Sequence, residues 1–513
     1  MNLSSPQTAQ QGQVLTWHFH SEKTYENPYM QVSAWMLFRH ESGKEYQRPA
    51  FWDGGNSWKV RFAVPESSGT FQWESFADVD DPGLVGKQGL ITCKGSTPDK
   101  GGLLSMSQGK RNVIDAHGQG KLLVVDTAWA LPWRATEDMC RIYAADRKQK
   151  GFNAVLLMTV QPDMKAEGPQ ERGVDGGFDR GFTDLSQGSL QQLRPKYFKA
   201  FDHLIRILLD AGITPIYQPI FHGYGWKGLS VIGKIIDEHE YCRYCRYLVA
   251  RYGAWPAIYL VGADGNGTEP GVRKAGQEIE SWDCYQQPTG MHYNPGSAAA
   301  QWQADDWLDF QCCQTGHDSE HHPERVEKMC GNRPVKGVTN GEPTYECMNR
   351  SENAAGWWQG HEAWLNFTAG GTFGVFYGAG SLWNWVYHAD EPGHEAWCVA
   401  PNAGWREALD FEGSRYPGIV AKIVSAYDFM DLMPQANWMM DKPCVGKKHQ
   451  FALLYLEKGG NVHVMSKEVP PHYTLYCAKT AKVLEQGSRD QNQTYSLLQV
   501  PSSPDPVVVV FYP

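Results

Sequence analysis

The chain has 513 residues and a formal net charge of -10, too long for one compact unit, so two or three domains are the expectation. A pI near 5.9 and the lack of any Lys or Arg run exclude nucleic acid and an anionic membrane surface as partners, and argue against a polyanionic substrate. No run has the length of a membrane span.

Tryptophan is over-represented, with 20 beside 24 Tyr. Flat rings beyond what a core needs suit a ligand surface, and the C–H faces of sugars fit such platforms. The opening MNLSSPQTAQQGQ has neither a basic nor an apolar region, so no secretory signal is expected. A cytoplasmic location follows, or a secreted one if a leader precedes residue 1. The 12 Cys are scattered, and adjacent Cys312 and Cys313 suit reduced core thiols. Cys242 and Cys245 form a CxxC, but inside a helix-like stretch and without a second pair, which is weak evidence for zinc.

From about Gln13 to Lys94, LTWHF, QVSAWMLF, SWKVRFAV and GTFQWESF alternate with period two between NP, SG, DGGN and ESSG turns. Antiparallel strands of an immunoglobulin-like sandwich are predicted. After Gly101 apolar strands alternate with amphipathic helices. LLVVDTAWALPW leads into a helix with Thr136 as N-cap and Gly151 as stop; FNAVLLMTVQPD follows. KAFDHLIRILLDAG puts Phe201, Leu204, Ile205 and Leu208 on one face and feeds TPIYQPIFHGYGW. A helix around Tyr241 to Tyr252 feeds AIYLVGADGNG. Segments around His292, Gln314, Glu342 and Tyr377 complete eight strands. The fold class is therefore multidomain, with a central (β/α)8 barrel at 99–435, the N-terminal sandwich at 1–98 and a small C-terminal β domain at 436–513. No glycine-rich phosphate turn follows the first strand, which disfavours a doubly wound sheet.

Barrel enzymes draw their chemistry from the C-terminal strand ends. Those ends supply Asp126 and Trp129, Gln161 and Asp163, His222 and Trp226, Asp264, His292 and Tyr293, Gln314, Thr315 and His317, Glu342 and Glu346, then Tyr377, Trp383 and Trp385. Asp264 on the fourth strand and Glu342 on the seventh face each other across the mouth. Glycoside hydrolysis needs such a pair, one group to protonate the leaving oxygen and one to attack or steady the oxocarbenium-like centre. Either carboxylate could instead cap a helix or bridge to an Arg. A metal site competes for the same region through Asp126, His222, His292, His317, His321 and His322, although no HExxH-like spacing is present. Trp129, Trp226, Trp383 and Trp385 could equally be core.

At these residues the chain resembles a known family. DTAWALPWRAT, GFNAVLLMTVQPD, LVGADG, GEPTYE and WWQGHEAWLNFTAGGTFGVFYGAGSLWNW are similar to the apiosidase-like glycoside hydrolases over roughly Gly118 to Met430. YENPYMQV with the segment PAFWDGGNSWKVRFAVPESSGTFQWE resembles the β-sandwich that often precedes these barrels, and the tail resembles a small β domain labelled collagen-binding. The resemblance implies a retaining glycosidase with Asp264 as acid/base and Glu342 as nucleophile. It departs from the family at Gly265, where a basic residue is usual, so apiose is not implied as the sugar.

The expectation is thus a cofactor-free glycosidase acting on plant- or microbe-derived oligosaccharides, with a homo-oligomer left open. Catalysis falls to Asp264 and Glu342. Substrate binding falls to Asp126, Trp129, Gln161, His222, Trp226, His292, Gln314, His317, Glu346, Tyr377 and Trp383. The alternatives are a catalytically inactive sugar-binding barrel and a metal-dependent lyase or hydrolase on uronic acids.

Overall fold

The structure is a computed structural model and describes residues 7–160, 180–183, 185, 188–223, 232–297, 300–317, 320–348, 354–389, 403–502 and 504–513. Eight parallel strands occupy its centre: β1 (Leu123–Thr127), β2 (Ala154–Met158), β3 (Thr214–Gln218), β4 (Ile258–Leu260), β5 (Thr289–His292), β6 (Phe310–Gln314), β7 (Gly337–Glu342) and β8 (Gly374–Gly378). They follow chain order around the sheet, and β8 pairs back onto β1. The seam between β7 and β8 is held by Phe373 N–H to Val338 O at 3.1 Å and by the Thr339 hydroxyl to Gly374 O at 2.7 Å. Every strand residue is buried, as expected where helices cover the outside and side chains fill the inside.

The helices obey the local rules that predicted them. α1 (Glu137–Gln149) starts where the Thr136 side chain accepts from Met139 N–H, and the chain turns away at Gly151 with φ of +87°. α2 (Pro195–Asp210) buries Phe201, Leu204, Ile205 and Leu208. α3 (Glu238–Tyr252), α4 (Val272–Trp282), α5 (Pro323–Cys330), α6 (Trp357–Thr368) and α7 (Tyr416–Val424) follow. Among the described residues no helix separates β5 from β6. That connection packs by its tryptophans instead, with Trp302 Nε1 donating to Gly267 O at 2.6 Å. The opposite mouth is closed by a three-stranded ribbon, Ser105–Met106, Val113–Ile114 and Gly120–Lys121. Its Asn112 amide donates to Thr372 O at 2.8 Å, just before β8.

Before the barrel, a five-stranded and a three-stranded sheet enclose a core of Trp17, Phe38, Phe62, Phe71, Trp73 and Ile91, the predicted sandwich. Arginines tie it to the barrel. Arg48 donates to Val249 O at 2.9 Å, Arg61 pairs with Asp202 at 2.7 Å, and Arg251 pairs with Asp202 and Asp53 at 2.8 and 3.1 Å. After the barrel, a six-stranded sheet and a two-stranded ribbon form the C-terminal β domain. One face of it packs on α6 and α7 through Trp364, Val420, Tyr455, Val508 and Val510. Cys312 and Cys313 are buried free thiols of β6, and Cys245 is buried in α3. No helix among the described residues is long and apolar enough to cross a membrane.

Candidate active site

Asp264 lies four residues beyond β4 with φ of +56°, a left-handed conformation that Asp adopts more readily than bulkier residues. Its surroundings over-determine it. His222 N–H and Gly223 N–H both donate to Ala263 O at 3.0 and 3.1 Å, and Asn294 N–H donates to Gly265 O at 2.8 Å. Glu269 accepts from Asn266 and Gly267 N–H at 2.7 and 2.9 Å. A Cβ at Gly265 would stand 2.6 Å from the Glu269 carboxylate, so a side chain there requires that carboxylate to move.

Glu342 is the last residue of β7, and a bulge aims it. Cys313 is level with Asn340, but Gln314 is level with Glu342, so Gly341 is the extra residue. Only glycine fits, because a Cβ there would lie 2.4 Å from Cys312 Cβ. The shift sends Asn340 outward, where its amide meets the Thr315 hydroxyl at 2.8 Å, and sets Glu342 beside Gln314.

Between the two carboxylates stands His292, the last residue of β5. Its Nδ1 is 3.6 Å from Asp264 Oδ1 and its Nε2 is 3.4 Å from Glu342 Oε2. One donor atom from each of the three lies within 4.8 Å of the others. Glu342 collects donors: His317 Nε2 lies 2.9 Å from Oε1, and its Nδ1 accepts from Tyr345 N–H at 3.2 Å, which leaves the ring proton on Nε2. Asp264 Oδ1, Glu342 Oε2 and His292 Nε2 have no hydrogen-bond partner. Burial pushes Glu342 up to about 7, opposed by hydrogen bonds with Asp264 and Gln314. Burial, then the charge of Glu342 and the hydrogen bond with it, drive Asp264 well above the usual carboxylate range. Burial holds His292 neutral, down at about 3.

Aromatic rings wall this centre. Trp129 meets Trp383 at 5.6 Å and Phe221 at 5.5 Å, Trp383 meets Tyr345 at 5.7 Å, and Tyr345 meets His317 at 4.6 Å. The structure therefore brings together Asp264, Glu342, His292, Gln314, His317, Trp129 and Trp383. His222 is fully buried below the Asp264 loop, edge-on to Tyr241 with both ring nitrogens unpartnered.

Asp126, Glu346 and Tyr377 form a second cluster. Asp126 Oδ2 accepts from Arg147 Nε at 2.6 Å and from Tyr143 OH at 2.9 Å. Glu346 accepts from Tyr377 OH at 2.6 Å and from Gly356 and Gly413 N–H at 2.7 and 3.0 Å. The Arg147 guanidinium lies 5.9 Å from the Tyr377 ring and joins the two halves. Trp385 stacks on Trp405 at 5.1 Å, and His321 packs on Trp358 at 4.0 Å. Gln161, Asp163 and Trp226 lie outside the described residues.

Two residues at the centre escaped sequence reasoning. Tyr345, within GEPTYE, has an unpartnered buried hydroxyl that feels the charges of Glu342 and Asp264. Gln218, at the end of β3, holds His292 Nδ1 at 3.1 Å. The position of Tyr345 three residues after Glu342 is a signal that could have found it.

Among the described residues, Asp264, His292 and Glu342 are also the one group able to hold a metal ion. Its donor set of two carboxylates and an imidazole fits a divalent cation such as zinc.

The barrel is shared with solved structures. A glycoside hydrolase matches at 18% identity and TM-score 0.66 over 81% of this chain and 98% of its own. A glycoside hydrolase family 5 structure from Bacteroides vulgatus matches at 18% and 0.66 over 81% and 94%. A candidate glycoside hydrolase from the same organism matches at 14% and 0.72 over 99% and 100%. These likenesses show the fold. No curated protein matches the chain. A domain of unknown function, DUF5060, matches residues 8–78, and the apiosidase-like catalytic domain matches residues 107–431. Spanning more than half of the chain, that match shows that the protein belongs to the apiosidase-like family of glycosidases.

Proposed function

We propose that the chain cleaves a glycosidic bond in plant- or microbe-derived oligosaccharides with retention of configuration. Asp264, held protonated by burial and by Glu342, donates its proton to the leaving oxygen as the C–O bond breaks. The Glu342 carboxylate attacks the anomeric carbon and forms a glycosyl ester. Asp264 then takes a proton from water, and that water's oxygen displaces Glu342 and frees the sugar. Trp129 and Trp383 offer a face for the sugar ring, while Gln314 and Tyr345 stand where its hydroxyls need partners.

The observation that carries this reading is the asymmetry of the pair. Glu342 takes the His317 Nε2 donor at Oε1, whereas Asp264 Oδ1 takes none, although Glu342 Oε2 is likewise bare. One oxygen of each carboxylate lies within 4.8 Å of the other, so the two groups flank one site, as a pair of glycosidase carboxylates must. The test is Glu342→Ala assayed on aryl glycosides with and without azide. Loss of turnover, azide rescue and a glycosyl azide product are expected; loss without rescue, together with an inverted sugar product from the wild-type chain, overturns retention.

One observation favours a second reading. The cation-capable group Asp264, His292 and Glu342 would serve a metal-dependent hydrolase or lyase on uronic-acid sugars. Exhaustive chelation that abolishes turnover would establish it.

A further inference from the structure

We infer that the hydroxyls of Tyr345 and Thr127 together recognise one hydroxyl group of a neutral sugar seated beside Glu342, which makes them specificity-determining residues. The inference rests on the reading above in which Asp264 and Glu342 flank the bond to be cleaved.

Backbone register brings the two side chains together. Tyr345 follows Glu342 by three residues, and the chain there is pinned to the end of β8, with Glu346 N–H donating to Gly378 O at 2.9 Å and Gly380 N–H to Glu346 O at 3.1 Å. A Cβ at Gly378 would collide with the Tyr345 ring, so the ring rests on the bare backbone of that glycine. Gly378 is in turn level with Thr127 on β1. Successive side chains of a strand point to opposite faces. Asp126 turns outward to Arg147 and Tyr143, so Thr127 faces the barrel interior. The phenol reaches over β8 toward it, where Thr127, Glu342 and Asp264 all act on it. His317 and Trp383 flank the ring at 4.6 and 5.7 Å.

Both residues are fully buried, yet neither hydroxyl has a hydrogen-bond partner. Buried polar groups are nearly always paired, because leaving one bare is costly. Two neighbouring hydroxyls that do not satisfy each other therefore mark a place kept for a third group. Each can both donate and accept, which matches an alcohol. A carboxylate matches poorly, since the Glu342 carboxylate beside it would repel it and the Arg147 guanidinium is taken up by Asp126 behind β1. The group that fits is a hydroxyl of a neutral sugar and not the acid group of a uronic acid.

The test sets stability against recognition in Tyr345→Phe and Thr127→Val, which delete one hydroxyl or exchange it for a methyl. The free protein makes no bond through either, so Tm should equal or exceed that of wild type in both. On the best substrate from a panel of neutral 4-nitrophenyl pentosides and hexosides, kcat/KM should fall roughly 5- to 150-fold. On one monodeoxy analogue of that glycoside, variants and wild type should be equal, because the hydroxyl that they bind is missing. Titration calorimetry with the same glycosides scores those that bind without turnover. A lowered Tm in both variants assigns the hydroxyls to the free fold and overturns the inference. Equal losses on the parent glycoside and on every monodeoxy analogue, or no loss at all, overturn it too, as does a wild-type preference for the matching glycuronide. If the azide test moves the nucleophile elsewhere while one deoxy analogue still cancels the loss, the hydroxyl subsite stands and the catalytic assignment falls.

Discussion

His317 donates from Nε2 to Glu342 Oε1 across 2.9 Å while its other nitrogen accepts from Tyr345 N–H, so the loop after β6 is clamped to the end of β7 at the proposed nucleophile. A hydrogen bond to a charged group contributes about 1.5 to 3 kcal/mol, or roughly 10- to 100-fold. His317→Ala should therefore lower kcat/KM by that factor and move the acidic limb of the profile upward, because Glu342 loses a donor that favours its anion. Steady-state kinetics across pH checks both, and a loss confined to KM would assign His317 to substrate binding alone.

The buried pair also makes stability depend on pH, with the opposite sign to a salt-bridged carboxylate. Glu342 titrates near 7 in the folded chain against an ordinary 4.5, and Asp264 is raised as well. The folded protein thus holds protons that the unfolded chain releases, so stability falls as pH rises from about 4.5 through 7, by about 3 kcal/mol for Glu342. Below that window both states are protonated and the penalty vanishes. Glu342→Gln cannot ionise, so its Tm should exceed that of wild type at pH 8 and match it near pH 4. Calorimetry at the two pH values checks this, and an equal difference at both would attribute the effect to packing.

The barrel was legible because its strands are apolar runs buried on both faces, a pattern that a half-exposed sheet does not have, and because the capping of α1 followed local rules. The meeting of the two carboxylates was legible because Glu342 closes β7 and Asp264 follows β4 by four residues. Other features depend on packing between distant segments. Gly341 becomes a bulge only because Cys312 lies against it. Asp126 looked available at a strand end, yet its partner Arg147 sits in a run of helix charges that reads as solvent-facing. Gln218 hides in the apolar run TPIYQPI, where nothing marks one amide as the contact of a histidine 74 residues away.

The sandwich is fastened to the barrel through Arg251, whose guanidinium is buried, pairs with Asp202 and Asp53, and lies 4.7 Å over the Phe51 ring. Removing one partner of a buried ion pair costs about 3 to 5 kcal/mol when the other is left alone, and less is expected here because Arg61 still pairs with Asp202 and Lys59 with Asp53. Arg251→Met should lower Tm and expose the linker near Lys100 to limited proteolysis. Arg251→Lys should recover only part of the loss, since an ammonium cannot bridge two carboxylates with a planar fork. Wild-type resistance to protease in Arg251→Met would show that the domains are held elsewhere.

The geometry that suits two-carboxylate catalysis also suits a cation, and the two uses exclude each other. A metal on Asp264, His292 and Glu342 would take the oxygen that attacks the sugar and displace the proton that Asp264 must donate. If the glycosidase reading holds, protein dialysed against EDTA and checked metal-free by elemental analysis keeps full turnover. Zinc then inhibits competitively, and EDTA reverses it. His292→Gln removes the nitrogen ligand, and should weaken zinc binding measured by titration calorimetry at least tenfold, whatever it does to turnover. If dialysed protein is inactive and zinc restores it, the same three residues are metal ligands, and hydrolysis proceeds through a metal-activated water.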